Sequence, residues 1–227
     1  MKKFSLLLLV ASAFLLQFCG TKAGPGMLSG YERTIIRKSD SVMYVFSVFD
    51  RQDSLVLRTK CVDFSDEELH SEDFKMLAAK MMATVLAPQQ GGVGIAAPQV
   101  GITHRVIIVC RTDKEGEPYE VYPNARIDSL WGEVRPGPEG CLSIPSYRGM
   151  VPRYSNILLS YKDAETLDTV KDTVSGFAAV IFQHECDHLD GILYTDRADT
   201  VSFSRKRADE RAPYAAAGLY DKPSFIK

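Results

Sequence analysis

The stretch GFAAVIFQHECDHLDG, residues 176–191, contains the pattern His-Glu-x-x-His. Small and apolar residues fill its first half and a glycine ends it, so we expect a helix over residues 176–189. Residues four apart lie on one face of a helix, so His184 and His188 can bind a single metal ion. Glu185 then lies beside that ion as a general base. The competing interpretation is a polar patch on a solvated helix.

A metal ion that activates water usually has three protein ligands and one open position. Cys141 is the candidate for the third ligand. It lies in PGPEGCLS, residues 136–143, where proline and glycine predict a rigid, sharply turning segment that can present a thiolate. Taken alone, Cys141 is better explained as a small buried hydrophobic residue, as most free cysteines are.

A third segment, GGVGIAAPQ at residues 91–99, is small, apolar and rich in glycine. Backbone without side chains can approach a ligand closely. The segment is not a phosphate-binding loop, because it lacks both Gly-Lys-Ser/Thr and the Gly-x-Gly-x-x-Gly spacing. Gln99 ends it with an amide that can donate hydrogen bonds. The alternative is a helix-to-strand turn in which Gln99 faces solvent.

Taken together and in this order, the three segments resemble the motifs of peptide deformylases. That family carries Gly-x-Gly-x-Ala-Ala-Pro-Gln, Glu-Gly-Cys-Leu-Ser and Gln-His-Glu-x-Asp-His-x-x-Gly, which match residues 92–99, 139–143 and 183–191 here. The resemblance extends from about residue 45 to about residue 197. It implies a peptide deformylase-like α+β fold, in which antiparallel β-sheets pack around a C-terminal metal-binding helix.

The resemblance also implies roles for individual residues: metal ligands, proton transfer, oxyanion donors and substrate contacts. The metal ligands would be Cys141, His184 and His188. Glu185 would be the general acid and base. Gln99 and the backbone N–H of Leu142 would be the oxyanion donors. Residues implied at the substrate are Val93, Gly94, Val180 and Ile181, which would line an apolar pocket for a methionine side chain, and Glu139, which would support the site.

The implied reaction is the metal-dependent hydrolysis of a linear amide. It removes the N-formyl group from N-formyl-methionyl peptides and releases formate. The cofactor would be one divalent metal ion. A Cys-His-His set suits Zn²⁺, whereas the resemblance implies Fe²⁺, with Ni²⁺ and Co²⁺ as further candidates. Outside the cytoplasm a thiolate-bound ferrous site is prone to oxidation, which favours Zn²⁺ in this chain.

The first 23 residues have the features of an export signal. Met1-Lys2-Lys3 is cationic, and residues 4–18 form an apolar stretch that is short for a membrane-spanning helix. LLQFCG resembles a lipoprotein box, which predicts membrane attachment through acylated Cys19; the alternative is cleavage after Ala23. We therefore expect an exported protein, either a membrane-attached lipoprotein or periplasmic. The cytoplasm, where deformylases ordinarily act, is the alternative location.

The remaining chain is predicted to have three parts. Residues 24–40 are predicted to be a tether because Gly and Pro begin them and charged residues follow; residues 41–200 form the deformylase catalytic domain. Residues 201–227 are predicted to be a C-terminal helix and tail. The 227 residues suffice for one globular domain. A net charge of −2 gives no basic surface, so we expect no nucleic-acid partner; we expect a monomer.

Local patterns predict the elements of that domain. SDEE at residues 65–68 has the form of a capping box, and apolar residues at helical spacing predict a helix that ends near residue 86. Residues 105–110, 157–162 and 168–174 are predicted strands. Strands followed by a late helix favour the α+β class. The five cysteines fit no disulfide framework, because an odd number remains once Cys19 and Cys141 are assigned.

Two other functions compete with the deformylase interpretation. A zinc endopeptidase shares His-Glu-x-x-His but takes a Glu or His further along the chain as its third ligand, and no histidine follows His188. A surface lipoprotein that only binds a metal or a peptide would need none of the catalytic groups. The presence of Glu185 and Gln99 favours the enzyme.

Overall fold

The computed structural model describes residues 24–226. The predicted export signal and Cys19 therefore lie outside the described residues. The helices are α1 (Gly30–Lys38), α2 (Arg51–Leu57), α3 (Asp66–Leu69), α4 (Glu72–Leu86), α5 (Gly176–Leu189) and α6 (Arg205–Ala216). The strands are β1 (Gly94–Ala96), β2 (Val106–Cys110), β3 (Tyr119–Pro123), β4 (Arg126–Cys141), β5 (Ile144–Lys162), β6 (Thr169–Ser175) and β7 (Thr200–Phe203). Over residues 24–226, no helix has both the length and the apolar character needed to cross a membrane.

The strands form two antiparallel sheets. In the first, β2 lies between β1 and β3, and all five residues of β2 are buried, which explains its unbroken apolar sequence. In the second, β4 and β5 form a long hairpin, β6 pairs with the end of β5, and β7 pairs with its beginning. The strands predicted over residues 105–110, 157–162 and 168–174 are confirmed.

Helix α5 packs between the two sheets and has the predicted bounds. Its small residues Ala178 and Ala179 are fully buried and allow the sheets to approach the helix backbone. Phe182 fills the space beside them, and burying a side chain of this size contributes roughly 2–3 kcal/mol. The same core cluster includes Ile107 and Val109 of β2, Ile157 and Leu159 of β5, and Val174 of β6. This arrangement confirms the predicted α+β fold.

The predicted tether over residues 24–40 is wrong, because most of this segment is helix α1. A capping box between Ser29 and Glu32 begins the helix. Ile35 and Ile36 are fully buried in the same core cluster as residues of α4. The charged residues that suggested a linker form the other face of an amphipathic helix, where they pair with α4. The folded domain therefore begins before residue 41.

The capping-box pattern at Ser65 begins only the short helix α3. Ser71 caps the longer helix α4, which ends at Leu86 as predicted. The Glu68 carboxylate does not return to the Ser65 backbone, whose N–H donates to Gly26 O instead. The carboxylate accepts hydrogen bonds from Leu28 N (3.0 Å) and Ser71 Oγ (2.7 Å). Glu68 thus ties the start of α4 to the segment before α1.

The residues after α6 return to the domain rather than forming a loose tail. Lys222 Nζ lies 2.6 Å from Asp53 Oδ1, in an ion pair at the start of α2. Ile226 is buried in the same core cluster as α1 and α4. Both ends of the described chain are therefore held by the core, and helix α6 is connected to it on either side.

Candidate active site

Cys141, His184 and His188 converge at one point although they are distant in sequence. Their candidate ligand atoms all lie within 4.8 Å of one another, and Cys141 Sγ is 3.1 Å from His188 Nε2. Helix α5 presents the two histidines one turn apart. Cys141 is the last residue of β4, and the hairpin places it against the same turn of α5. Over residues 24–226, this is the only such group of potential ligands.

A buried ionic chain orients His184. Its Nδ1 donates to Glu139 Oε2 at 2.8 Å, which directs Nε2 toward the ligand cluster. Glu139 also accepts from Arg153 Nε at 2.7 Å, and Arg153 Nη1 donates to Asp187 Oδ2 at 2.6 Å. Burial raises the pKa of Glu139, but His184 and Arg153 outweigh it and lower the pKa to about 2. The carboxylate is therefore ionised, and His184 Nδ1 must carry the proton.

The electrostatics of the cluster suit a bound cation. Burial raises the pKa of the Cys141 thiol, but the neighbouring His188 and His184 reverse this and lower it to about 5. The cysteine is therefore a thiolate at neutral pH, the form that binds metals. One thiolate and two imidazoles are donors that divalent transition metals accept. The residues present thus fit a divalent metal ion.

Glu185 lies beside this cluster and is 4% exposed. Burial, only partly offset by His184 and His188, raises its pKa to about 7. Its Oε2 has no hydrogen-bond partner among the described residues, so it is free to hold a proton or accept from a ligand. Gly94 makes room for it: a Cβ there would lie 2.5 Å from Glu185 Oε1. The glycine-rich segment therefore approaches this carboxylate rather than a phosphate.

The amide of Gln99 is fixed in one orientation. Its Oε1 accepts from Ala96 N at 2.9 Å, so the NH₂ group faces the other way. That group donates to Ser143 Oγ at 3.2 Å and points at Cys141 Sγ at 3.4 Å. Gln99 is 1% exposed, so the alternative of a solvent-facing side chain is wrong. Leu142 follows Cys141 in the turn between β4 and β5 and lines the same cavity.

A cavity of about 260 Å³ opens beside these groups. Its lining includes the buried group of Cys141, His184, Glu185 and Gln99 at the inner end. His188 is not one of the lining residues. All residues predicted for the substrate also line it, namely Val93, Gly94, Glu139, Val180 and Ile181. The structure thus brings every predicted site residue to one place.

Other residues of this region were not predicted. Arg153 and Asp187 extend the ionic chain, and Ser143 accepts from Gln99. Asp187 lies within the Gln-His-Glu-x-Asp-His motif, and that position was the available signal for it. Arg207 and Arg211 of α6 also line the cavity, and no sequence pattern indicated them.

The sequence from residue 45 to residue 204 matches the family described as polypeptide deformylase. The chain belongs to this family. Polypeptide deformylases are hydrolases that remove the N-formyl group from nascent peptides, and this activity applies to the present chain. The family is metal-dependent, in agreement with the Cys-His-His cluster. The third candidate ligand atom of the cluster belongs to Cys141, whereas the endopeptidase alternative requires a residue beyond His188.

Individual deformylases are similar over most of their length. The peptide deformylase of Leptospira biflexa is 34% identical over 156 residues, which cover 63% of this chain and 82% of that protein. The solved deformylase of Thermotoga maritima is 32% identical with a TM-score of 0.60, and the match covers 70% of this chain and 99% of that one. A Met-Ala-Ser-bound structure from Acinetobacter baumannii is 38% identical with a TM-score of 0.60, covering 69% and 98%.

Proposed function

We propose that Cys141, His184 and His188 hold one divalent metal ion at which this deformylase hydrolyses N-formyl-methionyl peptides. The observation that carries the proposal is the approach of the three ligand atoms to within 4.8 Å in a buried site. Fe²⁺ is the metal expected from the family, and Zn²⁺, Ni²⁺ and Co²⁺ accept the same donors. When bound, the metal supplies Lewis-acid chemistry that makes water nucleophilic near neutral pH.

Glu185 is assigned the proton transfers. Its pKa of about 7 allows the carboxylate to accept a proton from the attacking water and the resulting acid to release it at the same pH. The leaving group is the amine of the methionyl peptide, which must be protonated before it departs. Because Glu185 is buried and one of its oxygens has no partner among residues 24–226, the proton is kept within the site.

Gln99 and Leu142 are assigned the stabilisation of the oxyanion. The Gln99 NH₂ group is held toward Cys141 before substrate arrives, so no reorganisation is needed during the reaction. The backbone N–H of Leu142 belongs to the turn that carries Cys141. The preoriented Gln99 amide, with the Leu142 N–H as the second assigned donor, meets the requirement for stabilising the negative charge that develops on the formyl oxygen.

The apolar part of the cavity is assigned to the methionine side chain. Val93, Gly94, Val180 and Ile181 line it, and a flexible thioether packs well in such a slot. The Acinetobacter baumannii relative was solved with Met-Ala-Ser bound, a peptide of the kind that deformylation releases. We propose that this chain binds the N-formylated form of such a peptide in the same cavity.

The variant Glu185→Gln tests the assignment. Formate release from formyl-Met-Ala-Ser should fall by roughly 10²–10⁴-fold, while the metal content stays unchanged. Glu133→Gln is the matched control, because Glu133 is an exposed residue of β4. Unchanged formate release in Glu185→Gln would contradict the assigned role. Wild-type protein that binds metal but releases no formate would favour the alternative of a metal-binding or peptide-binding lipoprotein.

The metal set is tested separately by elemental analysis of anaerobically purified protein. The wild-type chain should carry about one metal equivalent, and Cys141→Ser should carry much less. Cys186→Ser is the control, because Cys186 is a buried residue of α5 outside the ligand cluster. Equal metal content in Cys141→Ser and the wild-type chain would remove Cys141 from the ligand set.

We also propose that the protein is exported and attached to a membrane through acylated Cys19. The support is the cationic start and apolar stretch of residues 1–18. Cell fractionation with a formate assay tests this location, and activity confined to the cytosol would overturn it. The monomeric state stays a prediction, which size-exclusion chromatography with light scattering can test.

A further inference from the structure

Helix α6 contributes two arginines to the active-site cavity. Arg207 and Arg211 line it together with Cys141 and Glu185. The helix spans Arg205–Ala216, whereas the family match ends at residue 204. None of the residues of α6 is buried, so the cavity runs from the buried ligand cluster out to this surface helix. The outer end of the cavity is therefore built by a segment beyond the matched region.

Contacts on both sides hold α6 at this position. On one side, β7 pairs with residues 147–150 of β5, and Ser204 N donates to Ser146 O at 2.7 Å. On the other side, Tyr220 Oη donates to Gln89 O at 2.9 Å. Ser146 lines the cavity, and Gln89 shortly precedes the glycine segment that also lines it. The residues that flank α6 on either side are therefore attached to segments at the cavity, and the helix itself contributes two lining residues.

The guanidinium of Arg211 has no acidic partner. It stacks over the Tyr220 ring at 4.2 Å, and no carboxylate oxygen of residues 24–226 lies within 4.0 Å of it. Burial, and then the neighbouring Arg207, lower the pKa of Arg211. Arg207 itself has one long contact, 3.5 Å to Glu210 Oε2. A partly buried guanidinium without a counter-ion, such as that of Arg211, favours the binding of an anion.

The rest of the cavity does not neutralise these charges. Arg148 of β5 lines it too, and among the described residues no carboxylate lies within 4.0 Å of that guanidinium. Of the two carboxylates in the lining, Glu139 is engaged by Arg153 and His184. Glu185 is buried at the opposite, inner end. Three arginines therefore line the cavity, and two of them, Arg148 and Arg211, have no carboxylate partner among the described residues.

We propose that Arg207 and Arg211, together with Arg148, form a carboxylate-binding subsite for the substrate residues that follow formyl-methionine. Guanidinium groups bind carboxylates through paired hydrogen bonds, and the partial burial of Arg211 strengthens such a contact. The carboxylate is either the C-terminus of a short peptide or an acidic side chain. This inference rests on the proposed deformylase function and specifies its substrate class as formylated peptides with a carboxylate close to the methionine.

The test compares kcat/KM for formate release by the metal-loaded protein from three peptides. These are formyl-Met-Ala-Ser as the free acid, the same peptide as its C-terminal amide, and formyl-Met-Ala-Asp amide. A charge-assisted contact predicts that at least one carboxylate-bearing peptide exceeds the neutral amide by about tenfold, mainly through KM. An advantage of the free acid assigns the subsite to C-termini, and an advantage of the Asp peptide assigns it to side chains.

Arg211→Gln and Arg207→Gln should each bring the ratio of kcat/KM between the carboxylate-bearing peptide and the neutral amide toward one. Lys206→Gln is the control, since Lys206 lies on the same helix with a side chain that is 87% exposed and does not line the cavity. Thermal unfolding of each variant shows whether α6 remains docked. Equal rates for all three peptides with the wild-type protein, or a preference that survives both substitutions, would overturn the subsite. Absence of formate from every peptide would instead refute the proposed function.

Discussion

Replacing Arg153 with methionine tests whether the buried ionic chain supports the metal ligands. Arg153 is 5% exposed, and it binds Glu139 at 2.7 Å and Asp187 at 2.6 Å. Methionine fills similar space but removes the cation that two buried carboxylates share, which leaves Asp187 with Arg197 and Glu139 with His184. Breaking a buried pair in this way costs roughly 3–5 kcal/mol, which corresponds to a fall in Tm of about 10 °C for a chain of this size.

The same substitution should weaken metal binding. Glu139 then loses the contact that fixes it beneath His184, and loss of such an orienting partner typically lowers metal affinity by roughly 10–100-fold. Urea unfolding of the metal-loaded protein measures the first effect, and competition with a chelator measures the second.

The chain offers a matched control for Arg153→Met. Arg135 is the direct cross-strand partner of Arg153 in the β4–β5 hairpin, but its side chain is 77% exposed. Arg135→Met should change neither stability nor metal affinity measurably, because exposed ion pairs contribute little. If Arg153→Met were as stable as Arg135→Met and bound metal equally well, the ionic chain would not support the site.

Three further predictions concern single residues. Gln99→Leu should lower kcat for formate release by roughly 10²–10³-fold at unchanged metal content; a kcat near that of the wild-type protein would exclude Gln99 as an oxyanion donor. Gly94→Ala should place a Cβ 2.5 Å from Glu185 Oε1 and displace that carboxylate, which we expect to lower kcat/KM by about 10²-fold; wild-type kinetics would show that Glu185 tolerates the shift. The pKa of Glu32 is lowered from 4.5 to about 2, because hydrogen bonds and charge from His104 outweigh burial. Glu32 therefore stabilises the fold above pH 4.5, and this contribution, about 3 kcal/mol at ~1.4 kcal/mol per pKa unit, should disappear as the pH falls to about 2. In urea unfolding across this range, the stability difference between the wild-type protein and Glu32→Gln should shrink toward low pH; a constant difference would contradict the pKa.

The predictions that held depend on short-range patterns. The helix over residues 176–189 and the buried strand around 106–110 follow from periodicity and composition within one element. The predictions that failed concern segments whose partner lies elsewhere. Residues 24–40 were predicted to be a tether because Gly and Pro begin them and charged residues follow. The contacts that stabilise α1 are with α4, and nothing within residues 24–40 shows that this complementary surface exists. The Ser29–Glu32 capping box and the helical periodicity are local signals, but only the surface of α4 shows that one face of α1 is buried.

The candidate ligand set also combines a short-range feature with a contact between distant segments. The pair His184 and His188 is a local feature, because a helix brings residues four apart onto one face. Cys141 is 47 residues from His188, and only its resemblance to a family motif indicated that the two would meet. Glu139 and Asp187 lie in the family motifs, but no pattern showed that Arg153 would join them, and none indicated the arginines of α6. They could not be assigned before the hairpin and the C-terminal segment were placed.

The sequence by itself determined the helix that carries two ligands, the turn that presents the thiolate and the chemical types gathered in the site. Their spacing is set by bonded geometry, which acts over a few residues. Only the tertiary structure decided which charges are paired, which carboxylate is buried enough to have a raised pKa, and which helix covers the cavity. These properties depend on desolvation and on contacts between surfaces far apart in the chain, and neither is encoded in any single segment.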